Sequence, residues 1–265
     1  MARPLMDQVS KTDRTGWTNK VPEITLSFWV VKILSTTVGE TGADFLAVNA
    51  GWGQAATRSV MGLLLAAALT LQMRKCSYAP WIYWLCVVLV SVVGTQITDL
   101  LTDGLDVSLV VSTTAFAVAL AAVFAVWFAV EHSLSIHTIV TLRREAFYWS
   151  AILCAFALGT AAGDLATEAL GLGFAKGALI FGGLIAAIYV AWRLFEANSV
   201  AAFWLAYILT RPLGAALGDL LTQARDYGGF GLGAAMTSVL FLGVIALLVG
   251  LAQFDAMARR RAEAL

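Results

Sequence analysis

Apolar residues run through this chain in long blocks separated by short polar breaks. Eight blocks stand out, at roughly 22–47, 54–73, 80–102, 107–131, 146–169, 174–195, 199–222 and 231–256. About 20 apolar residues in a helix cross about 30 Å of hydrocarbon, so each block predicts a transmembrane helix. Pro22 and Pro80 suit first helical turns, where no N–H is needed. The expected fold is all-α, a polytopic membrane protein of eight transmembrane helices.

Inside these blocks one spacing recurs four times. A tryptophan is followed ten residues on by glycine and fifteen on by aspartate: Trp29/Gly39/Asp44, Trp84/Gly94/Asp99, Trp149/Gly159/Asp164 and Trp204/Gly214/Asp219. Such recurrence is internal duplication. Trp29 to Trp149 and Trp84 to Trp204 are both 120 residues, so two helices becoming four and then eight fits the spacing. The expected units are a polar tail at 1–21, repeats at 22–77 and 78–132, a loop plus repeat at 133–197, a repeat at 198–258 and a basic tail at 259–265.

Charge orients the bundle. Of 17 Lys and Arg residues, twelve lie in the N-terminal tail, at Arg74-Lys75, Arg143-Arg144 and Arg193, or at Arg259-Arg260-Arg261. An eight-span path puts all twelve on one side and leaves Lys176 and Arg225 in the loops of the other. The positive-inside rule then places both termini in the cytoplasm and all four motifs in parallel, running outward. Parallel repeats are related by an axis along the membrane normal, which would gather the four odd helices. The polar first 20 residues are not a signal peptide, and the expected location is a bacterial inner membrane.

At about 100° per residue, the glycine and the residue four further on share a face. The pairs Gly39/Ala43, Gly94/Thr98, Gly159/Gly163 and Gly214/Gly218 are small-xxx-small patterns, which let membrane helices approach closely. A second stripe falls 7, 11 and 15 residues after each tryptophan. It reads Thr36, Glu40, Asp44; Ser91, Thr95, Asp99; Phe156, Thr160, Asp164; and Arg211, Ala215, Asp219, with Lys32 a turn before the first. Polar faces in a membrane must look into the bundle or into water.

Acids inside membrane helices are functional-site candidates. Glu40, Asp44, Asp99, Asp164 and Asp219 outnumber the bases Lys32 and Arg211, and the excess attracts cations. Lys32 is expected to pair with Glu40 or with an acid on a neighbouring odd helix, and Arg211 to neutralise one aspartate. Carboxylate and hydroxyl oxygens, Thr36 among them, are hard ligands suited to Mn²⁺, Mg²⁺ or Ca²⁺. Thr102, Thr167 and Thr222 each follow an aspartate by one turn, either tied to the backbone or adding a ligand oxygen. Partly protonated acids would instead carry protons in exchange for substrate.

Other chemistry is thinly represented. The net charge is zero, so nothing points to nucleic acid. Cys76, Cys86 and Cys154 lack metal-ligand spacing. Glu131, His132 and His137 form an end-of-span cluster that reads as an ordinary loop, a metal entry point or a pH-sensitive gate. There is no phosphate-binding glycine loop and no nucleophile elbow, and no enzyme or resident cofactor is expected.

The stretches Val21-Pro22-Glu23-Ile24-Thr25, Phe28-Trp29, Lys32-Ile33-Leu34 and Thr36-Thr37-Val38-Gly39-Glu40-Thr41-Gly42-Ala43-Asp44 resemble a family of bacterial membrane proteins of unknown function. Leu134-Ser135-Ile136-His137 and Arg143-Arg144-Glu145-Ala146-Phe147-Tyr148-Trp149 are similar to it as well. The resemblance implies four tandem repeats, each with two transmembrane segments and a characteristic tryptophan. It implies no activity. From the residues, the expected function is secondary transport of a small cation, most specifically export of a divalent metal such as Mn²⁺ against protons. A passive cation channel and a membrane scaffold or sensor are the alternatives. The expected partners are the lipid bilayer and the cation or proton, and a homo-oligomer is compatible with the pattern.

Overall fold

The computed structural model describes residues 18–169 and 171–263; for Ala43, Asp44, Val48, Asn49, Glu168, Ala169 and 259–263 only the backbone is considered. The described chain is all-α. Eight long helices follow one another: α1 (Leu26–Asp44), α2 (Gly53–Met73), α3 (Pro80–Thr102), α4 (Leu109–Glu131), α5 (Leu142–Asp164), α6 (Phe174–Leu194), α7 (Ser199–Thr222) and α8 (Ala234–Glu263). Seven are long and apolar enough to cross a membrane. The exception is α1, expected as a full span, whose Lys32, Ser35, Thr36, Thr37, Glu40, Thr41 and Asp44 lower its apolarity.

Caps explain where the helices begin. Side-chain oxygens of Thr25, Ser108, Thr141 and Asn198 accept from backbone N–H groups two or three residues on, satisfying donors that a first turn leaves over. Pro80 sits in the first turn of α3. Pro22 does not start α1, which begins after the Thr25 cap. The Thr141 cap likewise starts α5 four residues ahead of the expected position 146.

The duplication is written into the backbone. Helices α1 and α5 both end in a π-helical turn, Phe45–Asn49 and Leu165–Ala169, 120 residues apart. The turns that follow use Gly51 and Gly53 (φ 72° and 75°) and, 120 residues on, Gly171 and Gly173 (φ 65° and 73°). These positive φ values favour glycine.

The odd helices form a closed ring: α1 on α3, α3 on α5, α5 on α7, and α7 back on α1. Each even helix packs mainly on the odd helix of the next repeat: α2 on α3, α4 on α5, α6 on α7, and α8 on α1. The last helix therefore closes the circle on the first. Even helices carry few buried residues, whereas most of α3, α5 and α7 faces inward. At one end the segment before α1 is tied down. Thr18 N–H donates to Cys76 O at 3.0 Å, Lys20 N–H to Ile139 O at 3.1 Å, and Ile139 N–H to Asn19 Oδ1 at 3.2 Å.

Candidate functional site

The ring axis is layered, beginning with aromatic residues. The residue before each repeat tryptophan is aromatic too: Phe28, Tyr83, Tyr148 and Phe203. Each packs on the tryptophan of the next repeat. Phe28 lies 5.5 Å from Trp84, Tyr83 5.6 Å from Trp149, Tyr148 6.1 Å from Trp204, and Phe203 5.8 Å from Trp29. The Tyr83 and Tyr148 hydroxyls hydrogen-bond at 2.5 Å. This girdle fills the ring at the end bearing Arg74, Lys75, Arg143 and Arg144. The fourfold aromatic preceding each tryptophan is a sequence signal that the tryptophan spacing by itself overlooks.

A turn further along lies Lys32, 1% exposed. Its Nζ faces the rings of Phe156 at 3.9 Å and Tyr207 at 4.2 Å and has no hydrogen-bond partner among the described residues. The expected pairing with Glu40 does not form. Eight residues of helix separate the two by about 12 Å along the axis, beyond the reach of one side chain.

Arg211 takes that acid instead. Its Nη2 donates to Glu40 Oε2 at 2.6 Å and to Thr95 Oγ1, and Nη1 donates to Thr36 O at 3.2 Å. Arg211 is 1% exposed and Glu40 13%. The guanidinium from α7 thus crosses the ring to α3 and binds α1 on the way. Its expected aspartate partner is replaced by Glu40 because the acid one turn deeper stands at its level. Thr36 contributes its carbonyl; its hydroxyl bonds to Ile33 O at 2.6 Å and Thr210 O at 3.3 Å and is turned away from any ion.

The glycines explain how the ring closes this tightly. A Cβ on Gly39 would collide with Ser91, on Gly94 with Phe156, on Gly159 with Arg211, and on Gly214 with Thr36. Each glycine therefore receives the residue seven positions after the next repeat's tryptophan, around the full circle. Gly163 lies against Pro212, and Gly218 against Thr37 and Thr41. The small-residue face and the first position of the polar stripe are two sides of one contact.

Beyond Arg211 the ring opens. A cavity of about 470 Å³ is lined by Glu40 of α1, Asp99 and Thr102 of α3, Asp164 of α5 and Asp219 of α7. Asp103 and Asp106 of the α3–α4 loop, Gln54 of α2 and Gln223 complete most of the wall. The structure therefore brings Asp99, Asp164, Asp219 and Glu40 to one space; the side chain of Asp44 lies outside the described residues. Thr102 and Thr167 hydroxyls bond to carbonyls one turn back, at 3.1 and 2.9 Å. Among the described residues, no three His, Cys, Asp or Glu side chains stand close enough to hold one metal ion. Asp103, Asp106 and Gln54 add to the wall from segments outside the repeat spacing.

In the end-of-span cluster the carboxylate is taken up by two arginines. Glu131 receives Arg143 Nε at 2.5 Å and Arg144 Nε at 2.6 Å, while His132 ends α4 in the left-handed region. A second buried pair escaped the sequence reading. Lys20 Nζ donates to Glu145 Oε2 at 2.6 Å and to Met73 O at 3.1 Å, and Gln72 Nε2 donates to Glu145 Oε1 at 3.0 Å. It joins the segment before α1 to α2 and α5.

No curated protein and no solved structure matches the chain. One family model matches it four times over, at residues 27–78, 82–133, 147–198 and 202–255. These four matches span both helices of every repeat, and the chain belongs to the family described as Repeat of Unknown Function (DUF347).

Proposed function

We propose that this protein is a carrier of a small inorganic cation, with the acidic cavity as its mouth and the Arg211–Glu40 pair as its inner barrier. The observation that supports this reading is the cavity wall, to which all three described aspartates of the repeat motif contribute together with Glu40, Asp103 and Asp106. One buried cation, Arg211, answers one of these carboxylates directly. A wall this rich in carboxylates concentrates cations at the mouth. At about 30 Å³ per water, the space suits an ion that keeps part of its hydration shell.

The specific form we favour is a divalent metal such as Mn²⁺, exported in exchange for protons across a bacterial inner membrane. The basic end would face the cytoplasm under the positive-inside rule. Oxygen-only walls suit hard divalent ions. Loose spacing of the acids fits a carrier that must release what it binds. Arg211 serves as a tethered counter-cation, holding Glu40 until an ion from the cavity replaces it.

A passive channel would use the same acids as a selectivity ring. The aromatic girdle and the side chains crossing the ring favour the carrier, since a channel needs a continuous path. A scaffold would need the ion pair but not the acidic mouth. Ion flux into proteoliposomes over a range of Mn²⁺ concentrations separates the three. Saturable flux that responds to an opposing pH gradient is expected. Flux that is ohmic and indifferent to pH would point to the channel, and none to the scaffold.

A further inference from the structure

The cation route described so far leaves Lys32 without a task. Its ammonium would sit inside the ring, 1% exposed, with two aromatic faces and no oxygen within hydrogen-bonding distance among the described residues. Ring faces attract a cation, but far more weakly than burial in a membrane interior penalises it. The buried Arg211 guanidinium, also inside the ring, repels it. Along the inner stretches of the helices around it the ionisable groups are Tyr207 on α7, Tyr83 and Cys86 on α3, and Tyr148 and Cys154 on α5; at the start of α5, Glu145 is held by Lys20, and Arg143 and Arg144 are held by Glu131. Helix α8, packed on α1, carries no ionisable side chain before Asp255. Glu40, on the same helix, is held by Arg211, and the cavity carboxylates stand beyond that pair.

The charge on Lys32 is thus set by what Glu40 and Arg211 are doing. While Glu40 is joined to Arg211, the pair is neutral as a unit. When an entering cation takes Glu40, the guanidinium loses its partner and the positive field at Lys32 rises. We propose that Lys32 is the proton-binding site of this protein, its amine releasing a proton when Glu40 leaves Arg211 and regaining it when the pair re-forms. The inference rests on the carrier reading for its cation, but the proton site stands on Lys32, Arg211 and Glu40. The step is R–NH₃⁺ going to R–NH₂ and H⁺, with no other bond changed. Linkage makes the effect reciprocal: a cation that expels the proton is itself expelled when the proton returns, which is exchange.

The chain has five lysines, Lys11, Lys20, Lys32, Lys75 and Lys176, few enough to follow individually. The full chain, labelled with ¹³C,¹⁵N-lysine in lipid nanodiscs, is titrated from about pH 5 to about pH 9. Lys32→Met identifies the Lys32 Cε–Nζ signal, and Lys32→Arg does so if the first variant fails to fold. The expected result is a full ammonium-to-amine shift for Lys32 within that window, with the exposed lysines unchanged. Glu40→Gln, which removes the negative charge opposite Arg211 without any metal, is expected to lower the proton affinity of Lys32 about tenfold, one unit of midpoint. A Lys32 signal that does not titrate overturns the proposal, as does a midpoint that Glu40→Gln leaves in place. Added Mg²⁺ or Cd²⁺ tests the other half. If neither ion moves the midpoint while Glu40→Gln does, the proton site stands and the divalent-cation reading fails.

Discussion

Arg211 of α7 reaches across the ring of odd helices to place Nη2 2.6 Å from Glu40 Oε2, over a glycine, Gly159, that leaves room for its stem. The pair divides the axis in two. On one side lie Lys32 and the aromatic girdle, on the other the acidic cavity. Neither partner comes from the repeat's shared pattern: the equivalents of Arg211 are Thr36, Ser91 and Phe156, and those of Glu40 are Thr95, Thr160 and Ala215. Four repeats supply a symmetric frame, and two substitutions within it make an asymmetric site.

Breaking the Arg211–Glu40 pair from one side should cost more than removing both. Arg211→Met leaves the Glu40 carboxylate on the cavity wall without its cation, a loss smaller than the ~3–5 kcal/mol of a fully buried pair. Arg211→Met with Glu40→Leu should lose clearly less. Unfolding in mild detergent, followed for both singles and the double, measures the coupling.

The glycine circle predicts compensation between repeats. Gly39→Ala drives a methyl into Ser91, with an overpacking cost of about 1–3 kcal/mol. Ser91→Gly in the same chain should recover part of it. The recovery is incomplete because the Ser91 carbonyl carbon would still lie 2.9 Å from the new Cβ. Ser91→Gly paired with Gly159→Ala should give no such recovery, since Gly159 meets Arg211. Thermal midpoints of these three variants and of Gly159→Ala alone decide this.

The four tryptophans should not be equivalent. Trp204 is buried, stacks edge-on to Phe124 at 4.9 Å and Trp127 at 5.8 Å, and donates Nε1–H to Leu134 O at 3.0 Å. Trp29 is only half-buried. Trp204→Ala is expected to lose about 3–5 kcal/mol, the range for a large core aromatic, and Trp29→Ala distinctly less. Equal losses would mean that the girdle counts rather than its local packing.

The Lys20–Glu145 pair ties the segment before α1 to α2 and α5, with both side chains 1% exposed. Lys20→Met strands a buried carboxylate that keeps Gln72 as its side-chain donor among the described residues, and should destabilise by about 3–5 kcal/mol. Adding Glu145→Leu should restore much of that. Protease cleavage between residues 18 and 25 should rise sharply in the single variant and less in the double, which limited proteolysis reads directly.

Much of this architecture was legible in the residues. The tryptophan, glycine and aspartate spacing names the four units, and the 120-residue offset reappears as matched π turns after Asp44 and Asp164. The acids of α3, α5 and α7 share a cavity because the odd helices are parallel, as two helices per repeat require. Which side chain meets which partner was not legible. Periodicity gives the angle of a residue on its own helix, but the choice between Lys32 and Arg211 for Glu40 depends on the rotation and height of α7 against α1. The cyclic order, with α8 closing on α1, follows from which neighbour each even helix prefers, and no spacing within a repeat encodes that. The Lys20–Glu145 pair joins residues 125 apart, outside the repeat pattern altogether. The extent of α1 was obscured by its own polar residues, which the ring shelters from lipid.

In the proposed function, the acids gathered at the cavity carry a cation through the ring. The most direct test is Mn²⁺ uptake into proteoliposomes holding a fluorescent indicator, comparing wild type with a variant in which Asp44, Asp99, Asp164 and Asp219 are all asparagine. The account predicts saturable uptake by wild type, strengthened by an opposing pH gradient, that falls to the level of empty vesicles in the variant. Undiminished uptake by the folded variant, or none above empty vesicles by wild type, would contradict it.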